Sequence, residues 1–311
     1  MTTPIYLMSP PRPDWALRGR ANFKSRAAGG VDAVAARREW SQLADAIVEA
    51  GGEVVVLPPG GAELTGLIYT AEAGEFCRDD EGNSTFILPN MAAEHRRGEA
   101  EHIAWFVEDE LEMKTRRVES VWEAQGDAIR AEDGKSVVHT YGVGPDRRTE
   151  DGAYGEVAHL LSERHIQIAF EADPWFHGNT FLQFFQKDDQ SIMVVCPEAL
   201  RDGEFERLRQ FAGEMPVVEI TAEESRGYDT NALQVGTTVL APQTFSKTTR
   251  RAVEQLGLEV RIIHLGELFS KGGGAPVCLT NRMWGLEVSE VPETVRWSMR
   301  SATQNDPLAL E

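Results

Sequence analysis

Cysteine is scarce in this sequence: Cys77, Cys196 and Cys278 are the three among 311 residues. Three scattered thiols exclude a disulfide framework and a cysteine-built zinc site. Basic residues are outnumbered, 31 Lys and Arg against 50 Asp and Glu, which leaves a formal net charge of -19 at pH 7. That balance argues against a nucleic-acid backbone or an anionic membrane as partner, and it suits a small cationic molecule. No apolar run is long enough to cross a bilayer, and Met1-Thr2-Thr3-Pro4-Ile5-Tyr6 has no basic segment leading into an apolar one. The expected compartment is therefore reducing, the cytoplasm. Low-complexity segments and Pro- or Ser-rich linkers are missing too, so residues 1–311 read as one domain. The soft stretches are the acidic, glycine-containing Arg78–Ser84 and the tail after Trp297.

What is present is alternation. Short β-branched runs predict strands at Glu53–Leu57, Thr85–Leu88, Ser136–Tyr141, Ile166–Phe170, Ile192–Cys196, Val217–Ile220, Thr237–Leu240 and Glu259–Leu265. Between them, helical periodicity predicts Val31–Ala50, Ala92–Leu111, Ala153–Glu163, Pro197–Ala212 and Ser246–Leu256. In the first helix Val34, Leu43, Ile47 and Val48 can share one apolar face. Glycines at Gly51-Gly52 and Gly257 supply the left-handed caps that turn a helix back into a strand. A strand–turn–helix–strand unit can be read three times in the second half, beginning near Ser136, Ser191 and Thr237, at intervals of roughly 50 residues. An α/β protein follows, with a doubly wound sheet as the default. Against that default, no glycine-rich dinucleotide fingerprint follows the first strand, and the strands are short.

Four segments could carry chemistry. The first is Gly272-Gly273-Gly274-Ala275-Pro276-Val277-Cys278-Leu279-Thr280. Three consecutive glycines cost backbone entropy and add no packing, so they suit a backbone that bends tightly or approaches another group closely. The thiol that follows sits where a loop meets a strand, a place to present a nucleophile. Taken alone, a glycine turn before a buried cysteine explains it as well, because free cysteine is often buried. The second is Trp175-Phe176-His177-Gly178-Asn179-Thr180-Phe181, whose histidine is either a packed core residue or an acid–base group. The third, Trp122-Glu123-Ala124-Gln125-Gly126-Asp127-Ala128-Ile129, sets two carboxylates around a glycine turn. The fourth, Ile68-Tyr69-Thr70-Ala71-Glu72-Ala73-Gly74, embeds one acid among small and apolar residues. A carboxylate there needs a cationic partner, whether a ligand or a neighbouring arginine.

In this order the segments resemble the guanidine-modifying enzymes: the amidinotransferases, arginine deiminases, dimethylarginine dimethylaminohydrolases and arginine dihydrolases. Those enzymes end on a glycine-rich loop and a nucleophilic cysteine, here Cys278. Their His-x-Asp segment corresponds to His177-Gly178-Asn179, their Glu-Gly-x-Gly-Asp-like element to Glu123–Asp127, and their Phe-Thr-x-Asp-like segment to Tyr69-Thr70-Ala71-Glu72. Lesser echoes are Arg147-Arg148-Thr149 and Thr230-Asn231-Ala232-Leu233. The resemblance runs from about the first strand to residue 285. It implies the pentein fold, a five-bladed α/β propeller of ββαβ modules around a central polar pocket.

The resemblance also implies roles. Cys278 would be the thiolate nucleophile, His177 the general acid and base, and Glu123 the carboxylate that orients the imidazole. Glu72 would pair with the guanidinium, Asp127 and Asn179 would join it in binding substrate, and Arg148 and Arg97 would bind a substrate carboxylate, unless either arginine is a surface ion pair. Ser9-Pro10-Pro11 and Ala21-Asn22-Phe23 are similar to the dihydrolase branch, where the residue matching Asn22 orients water or substrate. Asn22 could equally bond its own backbone. Two departures stand out. Asn179 replaces an ionisable aspartate, and Glu72 stands where deiminases carry Asp and dihydrolases Asn. The resemblance thus implies a cysteine hydrolase of arginine or a small arginine derivative, with no metal, nucleotide or flavin. Amidino transfer to an amine and a non-catalytic relative are the alternatives, and homo-oligomer formation stays open. Trp122, Trp175 and Trp284 neighbour motif residues, either narrowing the entrance or packing between modules.

Overall fold

The computed structural model describes residues 2–19, 22–78, 82–303 and 308. Its strands form five separate three-stranded sheets. In each, a central strand pairs antiparallel with a short strand on one side and parallel with a longer-connected strand on the other. Parallel neighbours need a crossover, and a helix supplies it every time.

The first module runs β1 (Ile5–Met8), α1 (Phe23–Ala27), α2 (Ala33–Glu49) and β2 (Glu53–Val56). The second is β3 (Glu75–Arg78), β4 (Ser84–Leu88), α3 (Glu99–Trp105) and β5 (Lys114–Arg117). The third is β6 (Ala128–Arg130), β7 (Ser136–Val143), α4 (Ala153–Leu161) and β8 (Arg164–Glu171). The fourth is β9 (Leu182–Lys187), β10 (Gln190–Val195), α5 (Glu204–Ala212) and β11 (Val217–Glu219). After the short α6 (Ala222–Arg226), the fifth is β12 (Leu233–Val235), β13 (Thr238–Pro242), α7 (Lys247–Gln255) and β14 (Glu259–Ile263). The first sheet takes its antiparallel strand from the far end of the chain: β15 (Asn281–Arg282) pairs with β1, Tyr6 opposite Arg282. Five ββαβ modules result, the last closing on the first, as in the pentein fold and not in a doubly wound sheet.

The three repeats read from the sequence correspond to the third, fourth and fifth modules, from β7, β10 and β13. The periodicity revealed neither the antiparallel strand ahead of each central strand nor β1 and β5. Some helices also differ. Residues 92–111 break into a turn at Glu94–Arg96, α3 and a wider turn at Phe106–Glu110. Gly203, at a φ of 82°, separates the Pro197–Ala199 turn from α5. In α2 the buried stripe is Ala36, Trp40, Leu43, Ala44 and Ile47, while Val34 is 71% exposed. The i, i+4, i+7 spacing from Ala36 keeps one face, and the N-cap Asp32 accepts from the amides of Val34 and Ala35 beyond that face. The tail after Trp297 is not soft at its start: α8 (Trp297–Thr303) docks through Trp297, edge-on to Trp40 at 5.2 Å. Within Arg78–Ser84, residues 79–81 lie outside the described residues.

Candidate active site

Each antiparallel strand is preceded by a tight turn, and these turns carry the motif residues. Thr70–Glu72 leads into β3, Ala124–Gly126 into β6, Gly178–Thr180 into β9, Asp229–Asn231 into β12, and the turn around Cys278 into β15. Segments far apart in sequence are thereby brought to the middle of the ring.

The glycine loop is explained by what surrounds it. Gly273 has a φ of +86°, and a Cβ there would lie 2.5 Å from Asn22 Oδ1. A Cβ on Gly274 would meet the Tyr69 ring at 2.6 Å. The carbonyl of Gly272 accepts from Asn22 Nδ2 and from the Tyr69 hydroxyl, both at 3.0 Å. No side chain fits this approach. Asn22 is the N-cap of α1 as well, its Oδ1 accepting from Ser25 N–H at 2.9 Å. It therefore holds α1 against the loop while lining the same cavity as Cys278.

Cys278 is buried, and its amide donates to Asn231 Oδ1 at 2.9 Å. Its carbonyl accepts from Ala71 N–H at 3.2 Å, which ties it to the Glu72 turn. Asn231 Nδ2 donates to the carbonyl of Asn179 at 3.2 Å, and the Cys278 sulfur lies 3.9 Å from Asn179 Oδ1. Burial pushes the thiol up to about 12, against hydrogen bonding that includes the Asn231 side chain.

His177 is fully buried and joins two carboxylates. Its Nε2 lies 2.8 Å from Glu123 Oε2, and its Nδ1 lies 3.4 Å from Glu72 Oε1 without a hydrogen bond to a described residue. Burial would raise the Glu123 carboxyl, but the charge of Arg148 and the hydrogen bond and charge of His177 outweigh it and hold the group well below its ordinary value. An ionised carboxylate only accepts, so Nε2 carries the shared proton and Nδ1 is left to exchange one. Arg148 stands 3.4 Å from Glu123 and over the Phe176 ring at 5.6 Å. Glu72 is paired with the guanidinium of Arg96, which is gripped from behind by Glu99 at 2.7 Å and by the Gly66 carbonyl at 3.0 Å.

Three readings of the sequence change here. Arg97 is exposed, and Arg96 is the arginine turned inward. The two are adjacent on a turn, and nothing in the sequence distinguishes which faces the pocket. Asp127 does not reach the cavity. Its carboxylate accepts from Thr140 (2.7 Å), Thr149 (2.6 Å) and the Gly178 amide (2.9 Å), so it anchors the His177 turn instead. Asn179 lies between the two sides of the turn layer: its Oδ1 is 3.9 Å from the Cys278 sulfur, and the residue lines the opposite cavity with Gln125, Gln183 and Thr280. The tryptophan at the cavity is Trp15; Trp122 and Trp175 pack between elements, and Trp284 lies behind the turns. Asn231 carried a motif echo but no role in the sequence reading.

The cavity holds about 50 Å³ of free space, room for a few waters at roughly 10–15 Å³ each. Among the described residues, Glu72, Glu123 and His177 are the one group whose ligand atoms, all within 4.8 Å, have metal-like spacing. Arg96 and Arg148 already neutralise both carboxylates, and the 2.8 Å contact between His177 and Glu123 is a hydrogen bond with no place for an ion between them. No described helix is long and apolar enough to cross a membrane.

A family model for eukaryotic N,N-dimethylarginine dimethylhydrolase matches residues 25–284. An uncharacterized Caenorhabditis elegans protein is 25% identical over 256 residues, 82% of this chain and 86% of that protein. Among solved structures, the N-terminal domain of ArgZ, a cyanobacterial arginine dihydrolase, superposes with a TM-score of 0.76 at 20% identity, covering 90% of this chain and 97% of that one. A dimethylarginine dimethylaminohydrolase adduct gives 0.63 at 20% identity, covering 91% and 100%. At these identities the structural likeness establishes the fold.

Proposed function

Because the chain belongs to the eukaryotic N,N-dimethylarginine dimethylhydrolase family, we propose that it hydrolyses the guanidino group of arginine or a small arginine derivative through a covalent S-alkylthiouronium on Cys278. The observation that carries the reading is His177, which bridges Glu72 and Glu123 with one ring nitrogen uncommitted, beside the cavity lined by the Cys278 thiol.

The guanidinium carbon is a poor electrophile because its charge is spread over three nitrogens, so a thiolate is the fitting nucleophile. In the free protein burial keeps the thiol protonated. A guanidinium drawn to Glu72 brings a positive charge beside the sulfur and favours the thiolate, the thiol proton passing to His177 Nδ1. Glu72 is held by Arg96 in the free protein, so the substrate cation competes with an internal one. Attack by sulfur on the carbon gives a tetrahedral adduct. The C–N bond then breaks, and the departing amine takes its proton from His177 Nδ1. Water adds to the thiouronium carbon as His177 takes back a proton, and cleavage of the C–S bond frees a ureido product and the thiol. Glu123 and Arg148 hold the imidazole and do not touch the reacting atoms.

Hydrolysis and amidino transfer share these residues and differ in the acceptor that meets the thiouronium. The test is to incubate the protein with arginine, methylated arginines and other guanidino compounds, with and without glycine or lysine, and to identify products by mass spectrometry. Ammonia or alkylamine release independent of the added amine supports hydrolysis. Amidino product on the acceptor, formed faster than ammonia, would assign the protein to amidino transfer.

A further inference from the structure

The layer of turns has a second side. Val277 and Cys278 are consecutive, yet Cys278 lines the cavity described above while Val277 lines another, with Asn179, Gln183 and Leu233. This space of about 60 Å³ shares Arg130, Glu132, Arg282 and Trp284 with a wider one of about 490 Å³ that opens outward beside β1 and β15.

We infer that this second mouth of the ring is a binding site for a small zwitterionic amino acid, separate from the Cys278 pocket. Two guanidinium groups converge on one indole: Arg282 stacks on Trp284 at 3.8 Å, and Arg130 lies 5.3 Å from the same ring. Each commits a single nitrogen to a carboxylate. Arg282 Nη1 pairs with Glu132, and Arg130 Nη2 lies 3.3 Å from Glu75. Their remaining N–H groups make no hydrogen bond to a described residue, although both side chains are largely buried. Holding two like charges this close is costly unless something anionic joins them, and planar guanidinium forks match a carboxylate. Glu75 neutralises Arg130 only in part near neutral pH, because burial pushes its carboxyl up to about 7. The rim has the opposite sign: Asp133 and Glu287 are exposed on the same cavity and suit an ammonium group. A carboxylate set inward and an ammonium outward describe an α-amino acid.

The probe is L-norvaline, with pentanoate and butylamine as analogues lacking the ammonium and the carboxylate. Calorimetric titration of the whole protein should show L-norvaline binding in the millimolar range and both analogues weaker. Arg282→Met removes one fork and should weaken norvaline by about tenfold or more, as expected for losing a charged hydrogen bond. Arg148→Met, on the Cys278 side, should leave it unchanged. Asp133→Asn lies in an exposed turn and does not threaten the fold. It should weaken norvaline and spare pentanoate, which keeps the test decisive if Arg282→Met fails to fold. No heat with norvaline at tens of millimolar, or binding lost in Arg148→Met and kept in the Arg282 and Asp133 variants, would overturn the site.

Discussion

At the scale of residues, the account rests on Cys278, His177 and Glu72. Cys278→Ser is nearly isosteric but far less ionisable, so it should fold normally and lose turnover. His177→Ala should slow the reaction by about two to four orders of magnitude, the usual contribution of a positioned proton-transfer group; a loss below roughly tenfold would assign the residue to packing. The thiol offers a direct readout. With burial pushing it up to about 12, alkylation of the free protein by iodoacetamide should be slow at neutral pH and climb through the alkaline range. A bound, unreactive guanidinium should move that profile to lower pH, and Glu72→Gln should remove the ligand's effect while leaving the thiol alkylatable. These residues were singled out in the sequence by the family resemblance that their segments carry in order; taken alone, packing explains Cys278 and His177 as well. Arg96 was not legible: Arg96 and Arg97 are chemically identical, and only the turn decides which one meets Glu72.

At the scale of elements, the turn before each antiparallel strand carries the candidate site residues, and Asp127 shows how one is fixed. Its carboxylate ties β7 through Thr140 to the amide of Gly178 beside His177. Asp127→Ala should therefore lower kcat by about a hundredfold with KM little changed, since a small misplacement of the imidazole is costly while substrate contacts remain. An effect confined to KM would return Asp127 to the substrate-binding role first expected of it. The central strands β4, β7, β10 and β13 and the crossover helices were readable from apolar runs and 3.6-residue periodicity, whereas β1 was not among the predicted strands. Three of the antiparallel strands were not readable, because β6 and β12 span three residues and β15 two, too short to display alternation. Their position becomes clear only through pairing with the next strand. Val34 misled for a related reason: an apolar residue in the first turn of α2 lies beyond the stripe that Ala36, Trp40 and Leu43 bury.

At the scale of the whole molecule, the meeting of β15 with β1 joins the chain's two ends in one sheet, and we propose that residues 1–311 unfold as one cooperative unit. Urea unfolding followed by far-ultraviolet dichroism and by tryptophan fluorescence should then give coincident transitions. Stability should also depend on pH through His139, a buried residue among Tyr154 and His165. Burial, helped by His165 and Arg130, pulls its imidazole down to about 3. Unfolded histidine titrates near ~6.5, so between the two values the unfolded chain binds the extra proton. The contribution is present above ~6.5 and is lost as pH falls toward 3. Glu75 acts in the other sense: its carboxyl, pushed up to about 7 by burial, favours the fold below the ordinary carboxylate value and loses that contribution as pH rises through 7. His139→Phe, compared with the parent protein from pH 4 to neutrality, should flatten the acid limb of the urea midpoint. An unchanged limb would show that another group sets it.

The central claim is that guanidino chemistry passes through sulfur at Cys278. Its most direct test is acid quenching during turnover of each guanidino compound, followed by peptide mass mapping. The account predicts that the peptide bearing Cys278 gains the mass of the guanidino compound less the released amine with at least one compound, while those bearing Cys77 and Cys196 stay unmodified. A compound that is turned over at full rate by Cys278→Ser, with no adduct on the parent protein, would contradict it.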